Sequence, residues 1–334
     1  MMRIRIHKAG MMSTIQDMGR WGYLSQGVPI SGAMDRLAAR IANLAVGNTG
    51  EQAVIEFTYG NAAFQAETDI LLAYSGDGAI LEANSTPLPP DRPLFIPTGT
   101  YIHLATNPSG CRSYLAVAGG WDVPEALGSR STYTTAAIGG LQGRALQGGD
   151  MLQACSSLTD ITVELFRRLQ RQTINYPPWG IARWLFLSKK RNTVRIVPAH
   201  EFTWFRGESV VNFLSSPFTV STTSNRMGYQ LDGPPTHRFV SRELLSTAVA
   251  PGTIQVTGNG SLVLLMADCQ TTGGYPRIAQ VAAVDMPLCA QFKPGDIIYF
   301  KEISRIEAEK LYIHHENQLS KLAIALATNL LTAR

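Results

Sequence analysis

SNRMGYQLDGP, residues 224–234, repeats a phrase the chain has already used in TIQDMGRWGYLSQGVPISGAMD, residues 14–35. The shared words are Arg20-Trp21-Gly22-Tyr23 and Arg226-Met227-Gly228-Tyr229. Each copy runs on to a glycine and a proline, Gly27 with Pro29 and Gly233 with Pro234, and each follows polar residues, Gln16-Asp17 and Ser224-Asn225. A guanidinium, a flexible glycine and a phenolic hydroxyl set among amides and carboxylates suit the grip of a small anionic or amide-bearing molecule. The competing reading is a structural turn with a buried ion pair. Two copies in one chain point to two related halves, with one pseudo-equivalent loop from each.

The echo extends beyond that phrase. Gly149-Asp150 and Gly295-Asp296 each form a turn between β-type residues, about one domain length apart. The chain has 334 residues, and at roughly 150 residues per domain that suggests two domains. The boundaries read from the sequence are a first lobe over 1–165 and a connection over 166–190, with Pro177-Pro178, Trp179 and Trp184. A second lobe follows over 191–300 and a C-terminal helix over 301–334. Glycines and prolines punctuate many short apolar runs, the pattern of a mainly β protein. Strands are expected near 3–7, 53–57, 70–74, 101–104, 113–117, 194–197, 218–220, 262–267, 278–284 and 297–301. Helices are few. One is expected over 33–46, with Ser31 offering the N-cap oxygen, Asp35 in the first turn and Gly47 just past the end. Another begins near Ile303, with Leu311, Leu319, Leu322, Leu326 and Leu330 at helical spacing, and would pack on its own barrel or dock a partner.

Composition excludes several classes. The chain is 45% hydrophobic and 16% charged, so it can fill two cores and does not read as disordered. Its net charge is +4 with no basic block, which gives no case for nucleic acid or an anionic membrane. The four cysteines, Cys111, Cys155, Cys269 and Cys289, show no CxxC spacing. That pattern suggests reduced thiols in a cytoplasmic protein and no zinc site. The longest apolar runs are strand-sized, and no signal peptide is evident. No phosphate loop, dinucleotide fingerprint, zincin motif or nucleophile elbow occurs. No Met-Lys-Met site occurs either, so the chain itself is not expected to carry biotin.

Four segments concentrate polar residues among apolar strands: 14–35, GSRSTYTTAAIGGLQG at 128–143, 224–234 and DCQTTGGYP at 268–276. A Thr-Thr-Gly-Gly run offers two hydroxyls and accessible backbone N–H groups, a cradle for carboxylate or phosphate oxygens. Gly-rich turns at barrel mouths would look the same. Arg20 and Arg226 could form bidentate pairs with a substrate carboxylate, or be held by buried partners such as Asp17 and Asp35. Glu56, inside an apolar run, reads as a raised-pKa acid or, the better of the two, an ion-paired core residue; Cys269 reads as filler without a base, and His103 as a satisfied core or barrel-wall histidine.

The phrases TIQDMGRWGY, GVPISGAMD, IANLAVGN, YLAVAGGWDVP, LGSRSTYT, IGGLQGRALQGGD, SNRMGYQLDGP, PGTIQV, DCQTTGGYP and QFKPGD together resemble the allophanate hydrolase subunit 2 (KipA-like) family over roughly residues 10–300. That family includes the C-type component of bacterial ATP-dependent 5-oxoprolinase and the matching half of the urea carboxylase carboxyltransferase domain. The resemblance implies paired cyclophilin-like β-barrels. It implies ATP-driven opening of 5-oxoproline to glutamate, with a B-type (KipI-like) and an A-type (LamB/YcsF-like) subunit, and with ATP and Mg bound through the complex. Arg226, Asn225, Arg20 and Asp17 would then be catalytic. Gln16, Tyr23, Ser31, Arg130, Ser131, Tyr229, Gln270, Thr271, Thr272, Gly273 and Tyr275 would bind substrate. QTTGGYP and RMGY are similar to the oxoprolinase branch, while Asn225 stands where that branch carries Asp. The alternatives within the resemblance are a carboxyltransferase-type subunit and a regulatory anti-inhibitor that binds a KipI-like partner.

Overall fold

The computed structural model describes residues 1–240 and 244–332. The chain forms two compact units. One comprises Met1–Arg20, Asp35–Leu185 and the end of the chain from Gln318; the other comprises Trp21–Met34 and Phe186–Asn317. The architecture is mainly β with a C-terminal helix, and every strand expected from the sequence is present with small shifts at its ends.

The first unit holds two sheets. A six-stranded sheet runs in the order Met151–Gln153, Arg3–Ala9, Ala62–Ala66, Tyr101–Thr106, Ala79–Ala83, Thr86–Pro87. A five-stranded sheet runs in the order Met12–Gln16, Val54–Thr58, Arg112–Val117, Ile70–Gly76, Leu94–Ile96. Their inner faces supply one core, with Ile4, Ile6, Phe64, Leu81 and Ile102 from the first sheet and Ile15, Ile55, Leu72 and Leu115 from the second. The period of two along each strand accounts for this split, as the alternating burial of Arg3–Ala9 shows. The other face of the five-stranded sheet is also buried and is mixed, carrying Thr14, Gln16, Glu56, Ser75, Arg112 and Tyr114 beside Val54, Leu71 and Ala116.

Helix α1, Arg36–Ala45, packs on this second sheet through Leu37, Ile41 and Leu44. Its N-cap is Asp35, whose carboxylate accepts from Ala38 N at 2.8 Å, and not Ser31 as the sequence suggested. Gly47 takes the left-handed conformation after the helix (φ 81°), and a Cβ there would lie 2.9 Å from Thr162 N. Helix α2, Asp160–Leu169, was not expected. Thr159 caps it; Leu165 and Leu169 are buried and Ile161 and Phe166 half-buried, an i, i+4, i+5, i+8 stripe interrupted by the exposed Val163.

The second unit is a closed barrel, in the order Thr193–Pro198, Arg277–Val281, Thr253–Val256, Leu262–Leu265, Gly228–Asp232, Phe218–Val220, Ile297–Glu302. The first and last strands pair in parallel and close the ring. Val194, Ile196, Leu231, Ile254, Leu264 and Ile298 fill the interior, and Met34 from the early segment joins them. Phe213 of α3, Gly207–Ser215, stacks 4.8 Å from Phe300. A short α4 spans Met286–Gln291. A small strand pair, Thr247–Ala248 with Thr272–Gly273, forms a separate two-stranded sheet.

Helix α5, Arg305–Thr332, starts against the barrel, with Ala308 and Leu311 packed on Ala282, Val284 and Ile303. Leu319 is buried and Leu322 and Leu326 are half-buried, whereas the Leu330 side chain lies outside the described residues. Among the described residues, no helix is long and apolar enough to cross a membrane.

Candidate functional site

In the first unit, the strand Met12–Gln16 runs out into a loop whose carboxylate organises its surroundings. Asp17 Oδ1 accepts from Gly19 N (2.8 Å), Ser129 Oγ (2.7 Å) and Ser131 Oγ (2.5 Å), and Oδ2 accepts from Arg130 N (2.6 Å). Asp17 N donates in turn to Ser131 Oγ at 2.9 Å. Gln16 Nε2 donates to Thr14 Oγ1 (2.9 Å) and Thr132 O (3.1 Å), while Thr132 Oγ1 donates to Ile15 O at 3.0 Å. Arg20 is fully buried, and its Nη2 donates to Ser131 O. Gly139 is required beside it, because its φ is 70° and a Cβ there would stand 2.1 Å from Ser131 O. Arg130 Nε is held by Val123 O at 3.1 Å. The sequence therefore named residues that do come together here: Gln16, Asp17, Arg20, Arg130 and Ser131. They meet as a laced loop in which most polar groups are spent on one another. Gln16 Oε1 is buried and has no hydrogen-bond partner among the described residues.

In the second unit, Arg226 Nε and Nη2 meet Asp268 Oδ2 and Oδ1 at 2.7 and 3.1 Å, and Nη2 also donates to Gly32 O at 2.7 Å. Both partners are buried, so the bidentate face expected to grip a substrate carboxylate is taken by Asp268. Asp268 is thus a partner of Arg226 that the sequence did not suggest. Main-chain bonds frame the pair, Asp268 N to Arg226 O (2.9 Å) and Met266 N to Met227 O (3.0 Å). Asn225 is exposed and closes its own turn, its Oδ1 accepting from Met227 N at 2.8 Å. Ser31 lies next to Gly32 with φ 56°, a left-handed conformation that is strained for a serine, and its N donates to Ala267 O at 3.1 Å. Tyr23 is half-buried ahead of a single 3-10 turn, Leu24–Gln26. Tyr229 instead sits on a strand with its ring in the barrel core, 2% exposed. The two copies of the phrase are thus not equivalent loops: the first leaves a strand and the second enters one.

The loop carrying Gln270, Thr271, Thr272, Gly273 and Tyr275 opens to solvent. Gln270, Thr272 and Tyr275 are exposed. Thr271 O accepts from Val249 N (3.0 Å), and Tyr275 O accepts from Gln255 Nε2 (3.3 Å). Tyr275 forms one wall of a groove of about 350 Å³, with Gln230, Asp232 and Val263 opposite and the turn at 257–261 beside them. Cys269 is no nucleophile, since burial pushes its thiol up to about 12 with the neighbouring Asp268 charge adding to the shift. Among the described residues no group of His, Cys, Asp or Glu is arranged to hold a metal.

Comparison with known proteins fits this geometry. A family model described as carboxyltransferase domain, subdomain A and B, matches residues 26–302. The chain belongs to that family. It is 38% identical to the C-type component of 5-oxoprolinase from Escherichia coli (strain K12), over 96% of this chain and 97% of that one. It is 34% identical to the protein of the same name in Haemophilus influenzae, over 93% of this chain and 94% of that one. The crystal structure of the Kluyveromyces lactis urea carboxylase aligns with a TM-score of 0.84 at 28% identity, covering 96% of this chain and 29% of that one.

In this carboxyltransferase-family chain, several residues escaped the sequence reading. Asp268 was visible as the residue ending an apolar strand run, but nothing in its spacing joined it to Arg226. Glu56 does carry the expected ion pair, with Arg112 at 3.8 Å, and also accepts from Tyr114 OH at 2.8 Å. Burial drives the Tyr114 hydroxyl well above its usual pKa, so it stays a donor to Glu56 while accepting from Asp35 N at 2.7 Å. Arg183 lies between Asp77 and Asp91, fastening the end of the first unit's chain. His103 sits on the outward side of the strand Tyr101–Thr106 and faces Glu82 at 3.7 Å, a wall position and not a core one.

Proposed function

We propose that this chain is the C-type component of an ATP-dependent 5-oxoprolinase, working with B-type (KipI-like) and A-type (LamB/YcsF-like) subunits in the cytoplasm. The observation that carries this reading is the near full-length match to the C-type component of the Escherichia coli 5-oxoprolinase. An unstrained lactam resists hydrolysis, and phosphorylation of its oxygen by ATP turns it into a far better electrophile. In this reading the loop at 270–275 receives the substrate. The Thr271 and Thr272 hydroxyls and the backbone at Gly273 would meet the carboxylate or the developing charge on the lactam oxygen, with Gln270 and Tyr275 orienting the ring. Arg226 with Asp268, and Arg20 and Asp17 through Ser131, would hold the loops in place. Residues 268–276 carry no lysine or arginine, so the loop suits a small carboxylate and not a triphosphate with its Mg. ATP binding is accordingly assigned to the partner subunits or their contact with this chain.

A second reading, carboxyl transfer as in urea carboxylase, is favoured by the structural similarity to that enzyme. The assay that separates them uses the chain purified with its A- and B-type partners. ATP-dependent glutamate release from 5-oxoproline is expected. Urea- and biotin-dependent carboxyl transfer without glutamate would overturn the oxoprolinase reading.

A further inference from the structure

The outward face of the barrel carries a row of polar side chains whose partners are backbone atoms of one strap. Ile254 and Val256 point into the core, so Thr253 and Gln255 on the same strand face outward. Gln255 is nevertheless only 1% exposed. Its Nε2 donates to Tyr275 O at 3.3 Å. On the adjoining strand, Arg277 Nη1 donates to Ala248 O (3.2 Å) and Gln280 Nε2 to Pro251 O (2.9 Å). Thr253 Oγ1 accepts from Ala250 N (3.3 Å) and donates to Gln280 Oε1 (2.9 Å). Residues 248–251 and 272–275 are joined to each other by the small strand pair and to the barrel wall by these side chains. Gly273 completes the fit, because a Cβ there would stand 2.6 Å from Gln255 Nε2.

We propose that Gln255 is the positioning residue of the 270–275 loop. Its amide fixes the height of the loop above the barrel wall through Tyr275 O on one side and through contact with the bare Gly273 backbone on the other. The Thr271 and Thr272 hydroxyls are then presented at a set distance from the wall, as an oxyanion-type cradle requires. A buried amide suits this better than an apolar side chain, since only a donor answers the Tyr275 carbonyl. The proposal rests on the reading of that loop as the substrate-binding one, and Gln255 itself touches no substrate in it.

Two measurements test it. In the complex with its partner subunits, Gln255→Met should lower kcat for 5-oxoproline about fivefold with little change in KM, the equivalent of one net hydrogen bond. Gly273→Ala should cost about tenfold in kcat/KM, and distinctly less when made in a Gln255→Ala background, because the methyl group then has room. Additive effects of Gly273→Ala and Gln255→Ala would overturn the proposal. Hydrogen exchange on the chain alone needs no substrate. Amides across 268–277 should exchange faster in Gln255→Met while the barrel strands keep wild-type protection. Unchanged exchange there would overturn the positioning role even if the complex turns over 5-oxoproline. Absent turnover with the expected exchange would instead overturn the functional reading and leave Gln255 as the loop's anchor.

Discussion

Arg20 and Arg226 stand in the same four-residue phrase and end in different company. Arg20 donates to the main chain of Ser131 inside a loop organised by Asp17, and Arg226 is locked side-on to the Asp268 carboxylate. The two Gly-Asp turns, by contrast, are built alike. Gly149 N donates to Ile6 O (2.7 Å) and Ile6 N to Asp150 O (2.8 Å), as Gly295 N does to Val220 O (2.8 Å) and Val220 N to Asp296 O (2.9 Å). Both glycines are left-handed, at φ 97° and 89°. Each aspartate accepts from the N–H three residues before it, at 2.7 Å from Gln147 and 3.0 Å from Lys293. A turn is fixed by local backbone geometry, so it repeats wherever its residues repeat. A long cation takes whichever partner the fold delivers, so an arginine phrase does not carry its role with it.

The largest expected effect breaks the second copy. Arg226→Ala leaves the Asp268 carboxylate buried without its cation and should cost about 3–5 kcal/mol in urea unfolding. Replacing both, as Arg226→Met with Asp268→Leu, should recover most of that loss, since well-packed apolar pairs often match buried ion pairs. Full loss in the double variant would mean the pair is needed for more than its own charge. For the first copy, Asp17→Asn keeps the shape but weakens four hydrogen bonds to one carboxylate, and about 2 kcal/mol is expected. Hydrogen exchange should show the loosening confined to residues 129–132.

Smaller effects concern pH. The Arg144 pair holds the Asp150 carboxyl below its ordinary value, so its contribution is present above that value and is lost as pH falls through the lower folded one. Asp150→Asn should therefore cost about 1 kcal/mol at neutral pH and make acid unfolding shallower. Asp91 has the opposite sign. Burial raises its carboxyl despite Arg183, so it favours the fold when protonated and that contribution fades as pH rises through the raised value. Asp91→Asn should flatten this slope in the mildly acid range, read from Tm against pH, and an unchanged slope would remove Asp91 from the account.

Much of the architecture was legible because strands announce themselves locally. Runs such as 70–74 and 297–301 alternate or fill with β-branched and aromatic residues between glycines and prolines. α2 and α3 were not singled out, although Ile161, Leu165, Phe166 and Leu169, and Val210, Phe213 and Leu214, fall at helical spacing; both helices are short and their period is blurred by the exposed Val163 and Val211. Within the candidate site, motif content singled out 14–20 and 128–132 as polar segments, but that they meet each other was not legible and comes from the fold. The Arg226–Asp268 pair was not legible either, because it joins residues 42 positions apart and no spacing rule links them. Gln255 was hidden for a further reason. It occupies an outward strand position, where an amide ordinarily faces water and signals nothing.

The central claim is that the 270–275 loop handles substrate while the buried arginine pair supports it. The direct test is steady-state glutamate release by the reconstituted complex, comparing Thr271→Val with Thr272→Val in one chain against Arg226→Met with Asp268→Leu in another. Loss of about 100-fold in kcat for the hydroxyl-deleted chain, at unchanged Tm, is expected with near wild-type turnover for the other. The reverse result, with the threonines dispensable and the arginine pair essential in a folded protein, would contradict the account.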